Sequence, residues 1–398
     1  MTLNQLLGMI DGYEGTMGRT WAVEELVTHP LYLLQLAGDL EDLVGKFGKP
    51  ETSRSILAGN GHCSALVKVI FNLLPNFSDV YFSHVTWSSY STMLRVQKRY
   101  TFATGDPGQR YAFSGYPGSI SSIDDFILTS SHLAIMETTI ANYNERLYKL
   151  MTPNSILYWI RAQVAHRTSS SGIQWAKVFS RFNSGTYNNQ WIILDYKMFK
   201  RGRRDHPSHG LLHVLEQLPN RTAHADMTHA LIRNTYWPSY NRPYFPKIFE
   251  LSGSEKMVKK YGDWYRSNNY TKDPLSVCEC DPPYSAKNAI SSRSDLNPPN
   301  GTYPFPSLGH QDSGATDMKM TNSKLIESLS FTAIAGPTHD PTPVFDWSTT
   351  SFENIVPHNG QPLRWTFKPI THQWSSSLYD KITQDDELLA EQQQRFTT

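Results

Sequence analysis

Cys63 lies between a glycine-containing segment and an apolar run, in the stretch AGNGHCSALVKVIF at residues 58–71. Gly59 and Gly61 free the backbone before the cysteine. The run after it is rich in β-branched residues and predicts a buried strand. A thiol at such a junction is either a packing residue or a nucleophile, and the spacing alone leaves both interpretations open.

A cysteine that begins a strand after a flexible segment can attack the carbonyl carbon of the residue before it. This N-to-S acyl shift, followed by hydrolysis, would cut the His62–Cys63 bond and make Cys63 a new N-terminus. Its free α-amine, with a reference pKa of about 7.7–8.0, could then act as general base for the neighbouring thiol. The stretch therefore predicts either an N-terminal nucleophile or an ordinary buried cysteine.

Other common catalytic signatures are absent from the sequence. It contains no G-x-S-x-G, no histidine followed by glutamate, no Walker A motif and no G-x-G-x-x-G. Cys278 and Cys280, in SVCECDPP, form one short pair without further ligands at metal spacing, and a disulfide between them would be strained. We therefore expect no metal and no cofactor, and whether Cys278 and Cys280 are bridged stays open.

The segments around Cys63 mix strands and helices. CSALVKVIFNLL and DVYFSHVTW predict a hairpin around PNFSD, IDDFILTSSHLAIMETTI predicts two more strands, and NNQWIILDY predicts another. The leading stretch PLYLLQLAGDLEDLVGKFG is helix-like, although the alternation of Tyr32, Leu34 and Leu36 also fits a strand. Because the runs are mixed and do not alternate strictly as βαβ, the sequence favours an α+β fold.

Two helices are predicted between and after these strands. SGIQWAKVFSRF predicts a short amphipathic helix with Ser171 as its N-cap. Its apolar face is predicted to consist of Ile173, Ala176, Val178 and Phe179. A second helix is predicted from the helical spacing of Tyr90, Met93, Leu94 and Gln97.

Composition limits the class of protein. With 12% aromatic and 18% charged residues in 398, the chain is typical of a folded protein of one large or two ordinary domains. A net charge of +1 gives no case for nucleic acid, and the basic run at 200–206 is interpreted as a solvated loop. No apolar run is long enough to span a membrane, and no signal peptide is visible.

Taken literally, these features indicate a soluble intracellular protein. Glycosylation sequons complicate that interpretation, although their number is close to what chance would produce. They begin at Asn76, Asn220, Asn269 and Asn300.

A series of longer strings resembles the phospholipase B-like family, which comprises lysosomal and secreted N-terminal nucleophile hydrolases. The strings occur in the family's order between about Gly12 and Trp374, and a string such as RFNSGTYNNQW is far more specific than a short motif. They are GHCSALVKV, FSHVTWSSYSTMLRV, SGYPGSISSIDDF, METTIAN, RFNSGTYNNQWIILDYK, TYWPSYNRP, YGDWY and SRSDLNPPNGTYPF.

The resemblance implies a four-layer αββα sandwich of the N-terminal nucleophile type, with leading strands that we expect to be incomplete. It implies cleavage before Cys63, which divides the chain into a leading segment (1–62), a hydrolase core (63–375) and a polar tail (376–398). The leading fragment is expected to stay associated with the core. The product is expected to be a lysosomal or secreted glycoprotein without a transmembrane segment.

The implied activity is removal of acyl chains from glycerophospholipids through a Cys63 thioester. An amidase acting on N-acyl lipids or peptides would use the same nucleophile. A catalytically silent lipid-binding glycoprotein is a third interpretation.

The resemblance also assigns site residues one by one. Cys63 matches the nucleophile, and His84 and Trp87 match pocket residues that orient substrate and form an apolar wall. Thr139 and Asn241 match further active-site positions. Asn241 could donate its amide N–H to a tetrahedral oxyanion, and Thr139 could hydrogen-bond the new amine.

The sequence departs from the family pattern in several places. The leading region is shorter than in relatives, and an extra IFNL stretch lengthens the connection between Cys63 and His84. The family's C-x-x-C is shortened to C-E-C. Only eight residues, YRSNNYTK, separate Trp264 from Asp273, where relatives carry a longer arginine-bearing insert. Without that arginine we expect weaker binding of an anionic head group.

Overall fold

The structure is a computed structural model that describes residues 2–16, 18–48, 62–71, 78–202, 207–260, 293–302, 309–340 and 342–374. Helices dominate the beginning of the chain and recur between strands. They are α1 (Thr2–Glu14), α2 (Val23–Thr28), α3 (Pro30–Gln35), α4 (Ala37–Phe47), α5 (Tyr158–Thr168), α6 (Gly172–Phe179), α7 (Thr228–Asn234) and α8 (Pro246–Leu251).

Strands follow the leading helices from residue 62 onward. The first seven are β1 (His62–Phe71), β2 (Ser78–Ser89), β3 (Val96–Thr101), β4 (Arg110–Gly115), β5 (Phe126–Thr129), β6 (Leu133–Thr139) and β7 (Asn189–Asp195). The remaining seven are β8 (Leu212–Leu218), β9 (Arg221–Asp226), β10 (Tyr236–Ser239), β11 (Ser313–Ala315), β12 (Asp317–Asn322), β13 (Thr332–Ala335) and β14 (Ile370–Thr371).

These strands form two antiparallel sheets. In sheet one the order is β10-β1-β2-β12-β13-β14, and β11 also pairs with β2. In sheet two β3 to β9 follow one another in chain order, and α5 and α6 lie in the long connection between β6 and β7. The predicted hairpin of β1 and β2 is confirmed, with Cys63 opposite Thr86 and Ala65 opposite His84. The central position of β1 places Cys63 inside the molecule.

The two sheets stack face to face over a shared apolar core. Alternate residues of β1 point into it, among them Ala65, Val67 and Val69, and they meet Ala134 and Met136 of β6. Burying one face of each strand removes apolar area from water at about 25 cal/mol per Å² and fixes the register, because a slip of one residue would turn the whole face outward. The stacked sheets confirm the α+β class and the sandwich.

Helices cover the outer face of sheet two. Leu6 and Ile10 of α1 pack with Trp159 of α5 and Trp175 of α6 over Trp191 of β7. On sheet one, Leu66, Lys68 and Ile70 on the outward face of β1 are only half-buried. The fourth, helical layer and the N-terminal nucleophile type of the fold stay predictions, as does the division into segments at residues 62 and 375.

Several sequence predictions of local structure are confirmed. The leading region is helical, so the strand alternative for Tyr32, Leu34 and Leu36 was wrong. The strands predicted in the 123–140 and 188–196 segments are present as β5, β6 and β7. Ser171 caps α6 as predicted, since its side chain accepts a hydrogen bond from the Gln174 N–H.

Two predictions were wrong in detail. The helix predicted from Tyr90 to Gln97 is a single 3₁₀ turn, Tyr90–Thr92, followed by strand β3. Tyr90 and Met93 are buried because they pack against Phe345 and Trp347, so their spacing matches that of a helix although the segment is not helical. The predicted apolar face of α6 was also wrong in part, because Ile173 is 49% exposed and Trp175, which was not predicted, is buried.

Candidate active site

Cys63 is the second residue of β1 and points between the sheets. Its side chain is buried, and its thiol is not in a disulfide. The Sγ atom contacts Oε1 of Glu137 at 3.8 Å. Burial, followed by the nearby Glu137 carboxyl, raises the pKa of the thiol well above its usual value. In the uncut chain the sulfur is therefore protonated and donates toward the carboxyl.

His84 lies two residue pairs further along the hairpin, on the same face of β2 as Thr86. Its Nε2 is 3.0 Å from the carbonyl oxygen of Glu137. Because a carbonyl only accepts, Nε2 carries the hydrogen and Nδ1 carries the lone pair. Nδ1 is buried and has no hydrogen-bond partner among the described residues. Burial and the charge of Lys319 hold the pKa of His84 well below its usual value, so the ring is neutral.

Glu137, on β6, joins these two residues. Strand β5 begins at Phe126, opposite Met136, so β6 has no partner on that side from Glu137 onward. Besides Cys63, Oε1 accepts a hydrogen bond from the Tyr187 hydroxyl at 3.1 Å, whereas the buried Oε2 has no partner in the described parts of the chain. Burial raises the pKa of this carboxyl to about 8. We call Cys63, His84 and Glu137 the nucleophile cluster.

Trp87, predicted as an apolar wall of the pocket, lies on the opposite face of β2. Its ring packs with Val85, Ala315 and Met318 on the outside of sheet one. The strand alternation explains this position, since His84 and Thr86 point inward and the residue after them must point outward. Trp87 contacts the site through its main chain, because its backbone forms a hydrogen bond with the Cys63 sulfur.

Thr139 and Asn241 form a separate pair near the end of β6. The side-chain Nδ2 of Asn241 donates to the Thr139 carbonyl at 2.8 Å. The pair is tied to β1 through Thr138, whose hydroxyl lies 2.6 Å from that of Ser239, the residue opposite Ala65. An amide NH₂ has two hydrogens, so one can hold Asn241 in place while the other serves a substrate.

A buried ion-pair network borders the nucleophile cluster at Thr86. It consists of Arg95, Asp124, Asp317 and Lys319, with two cations and two carboxylates. Lys319 Nζ donates to Thr86 Oγ1 at 2.7 Å and to both Asp317 oxygens at 2.7 and 2.8 Å. Arg95 Nε lies 2.8 Å from Asp124 Oδ2 and 3.2 Å from Asp317 Oδ2.

The two cations decide the charge state of Asp124. Burial alone would raise the pKa of this carboxyl, but Arg95 and Lys319 outweigh it and hold the pKa well below the usual range. Asp124 is therefore ionised at neutral pH.

Strained backbone surrounds the nucleophile cluster. Asp125 has φ 44°, Tyr187 has φ 51° and Asn241 has φ 66°, all in the left-handed region that non-glycine residues rarely adopt. Such residues persist where the surrounding structure fixes them, and they concentrate at functional sites. Two of them, Asp125 and Tyr187, lie beside Glu137, which supports a functional interpretation of this region.

Sequence reasoning missed most of the cysteine's surroundings. Asp124, Glu137 and Tyr187 stood inside the strings SSIDDF, METTIAN and RFNSGTYNNQW, but no periodicity singles them out. Asn188 and Asn189, in the last of these strings, are buried, and Asn189 pairs with Thr139 across β6 and β7.

The nucleophile cluster also has the donor types of a transition-metal site. The sulfur, one ring nitrogen and one carboxylate oxygen all lie within 4.8 Å of one another. Bonds of about 2.0–2.3 Å to zinc would require tetrahedral edges of roughly 3.3–3.8 Å. The residues could hold such an ion only after the side chains moved closer together.

Other sequence predictions lie outside the described residues. They concern Cys278 and Cys280, the short segment between Trp264 and Asp273, and the polar tail. Within the part of the chain that is described, no helix is long and apolar enough to cross a bilayer.

The molecule is thus an α+β sandwich with a buried cysteine at the start of a central strand. The phospholipase B family model matches residues 1–267 and 265–372. A phospholipase B-like 1 protein of Caenorhabditis elegans is 54% identical over 96% of this chain and 73% of its own length. A phospholipase B-like 2 protein of Homo sapiens is 42% identical over 94% and 69%.

A more distant relative gives the same answer. Phospholipase B-like protein B of Dictyostelium discoideum is 35% identical over 92% of this chain and 68% of its own length. The chain belongs to the phospholipase B family, and the predicted family membership is confirmed.

Proposed function

We propose that this protein is an N-terminal nucleophile acyl hydrolase that cuts its own His62–Cys63 bond and then removes acyl chains from phospholipid esters. The observation that carries the proposal is the buried contact between Cys63 Sγ and the Glu137 carboxyl. Cys63 is the residue that directly follows the bond to be cut. Membership of the phospholipase B family supports the lipid substrate.

The first reaction is an acyl shift within the chain. The thiolate of Cys63 attacks the carbonyl carbon of His62, the peptide C–N bond breaks, and the nitrogen leaves as the Cys63 amine. Water then hydrolyses the thioester, which frees the carboxyl group of His62 and regenerates the thiol. The overall change is hydrolysis of one peptide bond, and no cofactor is consumed.

The second reaction uses the new N-terminus. The α-amine, covalently held next to the sulfur, takes the thiol proton, and the thiolate attacks the acyl carbonyl of the substrate. The ester C–O bond breaks, and the alcohol leaves with the proton that the amine had taken. Water then hydrolyses the thioester, which releases the fatty acid and regenerates the thiol. Asn241 donates one amide hydrogen to the oxyanion while its Thr139 bond holds it in place. His84 remains a neutral group that orients the substrate, because burial opposes its protonation.

The leading segment should remain bound after cleavage. Leu6, Ile10 and Leu36 are buried in the helical cluster over sheet two. Asp39 Oδ1 also accepts a hydrogen bond from the Tyr158 N–H at 3.0 Å. We therefore infer that fragments 1–62 and 63–398 co-elute from a sizing column and separate only under denaturing conditions.

A lysosomal or secreted glycoprotein is the proposed destination. Two of the four sequons, at Asn220 and Asn300, fall on exposed residues, and Asn220 lies at the tight turn between β8 and β9. Exposure on a turn suits glycan attachment during passage through the secretory pathway.

The proposal is tested with purified, cleaved protein and two matched substrates. A diacyl phospholipid and an N-acyl amide of the same chain length are compared for fatty-acid release. We expect ester cleavage to dominate, and Cys63→Ala to abolish both self-cleavage and release. Preference for the amide would identify an amidase, and absence of release from either substrate by cleaved protein would contradict the hydrolase proposal.

A further inference from the structure

The cleavage of the His62–Cys63 bond needs a proton acceptor that exists before the α-amine does. In the uncut chain the nitrogen of Cys63 is an amide and cannot serve as a base. The thiol is buried and protonated. A group already present in the folded chain must therefore accept the sulfur's proton.

His84 is poorly placed for this task. Its Nε2–H is committed to the Glu137 carbonyl at 3.0 Å. Accepting the proton at Nδ1 would create an imidazolium in a fully buried position, which desolvation and the cations of the ion-pair network oppose. The remaining candidate for the proton acceptor is the carboxyl of Glu137, which contacts the sulfur.

We propose that Glu137 is a catalytic residue of self-cleavage, which takes the Cys63 thiol proton and returns it to the departing amide nitrogen. This inference rests on the proposed self-cleavage and adds to it the base that the resemblance did not assign. Glu137 Oε1 is the atom in contact with Sγ, and Tyr187 holds that same oxygen in position.

The proton balance closes with one carboxyl. The S–H bond breaks as the proton moves to the carboxylate, and the sulfur's electron pair forms the S–C bond to His62. When the C–N bond breaks, the carboxylic acid gives the proton to the nitrogen, so Glu137 ends as it began. Water completes the hydrolysis of the thioester.

Burial makes proton transfer from the thiol to Glu137 less unfavourable than transfer to an exposed carboxylate would be. The pKa of Glu137 is raised to about 8, which makes its anion a stronger base than an ordinary carboxylate. Charged and titratable groups face it from β1, β2, β12, α5 and the segments before β5 and β7. They are Cys63, His84, Lys319, Asp124, Asp125, Tyr158 and Tyr187.

Glu137→Gln isolates the proton transfer from the packing. The amide oxygen can keep both Oε1 contacts, and the NH₂ group takes the place of Oε2, which has no partner among the described residues. Glu216→Gln is the control for loss of a buried carboxyl away from Cys63. Glu216 is equally buried, and both of its oxygens accept hydrogen bonds, from Gln190 and from the main-chain N–H groups of Tyr244 and Phe245, so its amide variant disturbs packing at least as much as Glu137→Gln does.

The experiment follows self-cleavage of the purified precursor by intact mass, from pH 5 to pH 9, for the wild type and the variants. We expect the wild-type rate to rise with pH up to about 8, where Glu137 becomes ionised. Glu137→Gln should cleave about 10²–10⁴ times more slowly, while Glu216→Gln cleaves like the wild type. Tyr187→Phe removes a bond that favours the anion, so its profile should move to higher pH with the same plateau.

A second readout separates proton transfer from structural damage. Turnover per cleaved chain should fall far less in Glu137→Gln than the cleavage rate does, because the α-amine then serves as base. Equal losses in both, or wild-type cleavage by Glu137→Gln, would overturn the assignment while leaving the proposed function intact. A folded wild-type precursor that never cleaves at 62/63 would contradict both the assignment of Glu137 and the proposed function.

Discussion

The nucleophile cluster and the ion-pair network meet at Thr86, yet they differ in how their polar groups are satisfied. In the nucleophile cluster, His84 Nδ1 and Glu137 Oε2 have no hydrogen-bond partner among the described residues. In the ion-pair network, every buried side-chain nitrogen and oxygen has a partner. Burial shifts protons onto Glu137, while paired charges keep Asp124 ionised. Fully paired buried charges fix structure, and unpaired lone pairs beside a thiol are available for chemistry.

Disrupting the ion-pair network should have the largest effect on stability. Lys319→Met removes a buried ammonium, with 1% side-chain exposure, and leaves two carboxylates with one cation. Losing one partner of a buried ion pair costs about 3–5 kcal/mol. We expect a large drop in the free energy of unfolding, measured by urea denaturation of Cys63→Ala protein, which avoids the complication of cleavage.

The matched change in the nucleophile cluster should behave differently. Glu137→Gln in the same Cys63→Ala background should alter unfolding by much less than Lys319→Met, because it leaves no charge unpaired. If Lys319→Met were as stable as its parent, the network would not have the structural role assigned to it here.

Asn241 tests whether activity depends on a group outside both clusters. Asn241→Ala should reduce kcat of cleaved protein by about 10²–10³, roughly 3–4 kcal/mol, since one oxyanion donor is lost. KM should change little, because the bond forms mainly in the transition state. A normal kcat in folded, cleaved variant protein would exclude Asn241 from the oxyanion site.

Buried carboxyls outside the ion-pair network should make the fold more stable in acid. Burial raises the pKa of Asp39 from 3.8 to about 6. A raised folded-state pKa means that its contribution is complete below about pH 4 and is lost as pH rises through 6. We expect the contribution of Asp39 to the thermal midpoint to decline between pH 4 and pH 7, against the opposite trend of buried histidines such as His84, whose pKa is lowered.

Asp39→Asn should flatten part of this dependence. Asp39 Oδ2 has no partner among the described residues, so the asparagine NH₂ can occupy its place and mimic the protonated acid. A pH dependence identical to that of the wild type would show that Asp39 is not among the groups responsible.

Local patterns predicted the part of the site that lies on one hairpin. Glycine spacing and the β-branched run identified Cys63 and β1, and strand alternation would also have shown that Trp87 cannot share a face with His84. Glu137 and Lys319 could not be found in this way. The first contacts Cys63 across 74 residues and the second contacts Thr86 across 233. Such contacts depend on how two sheets stack, which no short stretch encodes.

The helical layer of the leading region was only partly predictable for the same reason. Its apolar spacing indicated helices, but the role of Asp39 depends on Thr186, whose hydroxyl donates to it from a distant segment. The family resemblance supplied the order of the strings. The structure added the burial that raises the pKa values of Glu137 and Asp39 and the hydrogen bonds from Tyr187 and Thr186 that oppose the rise.

The central claim is that Cys63 becomes the N-terminus of the working protein. N-terminal sequencing of the larger fragment from purified wild-type protein tests this most directly. We expect the sequence to begin Cys-Ser-Ala-Leu-Val, and we expect the intact chain alone from Cys63→Ala protein. A first residue other than Cys63, or the same fragment from Cys63→Ala, would contradict self-cleavage by this thiol.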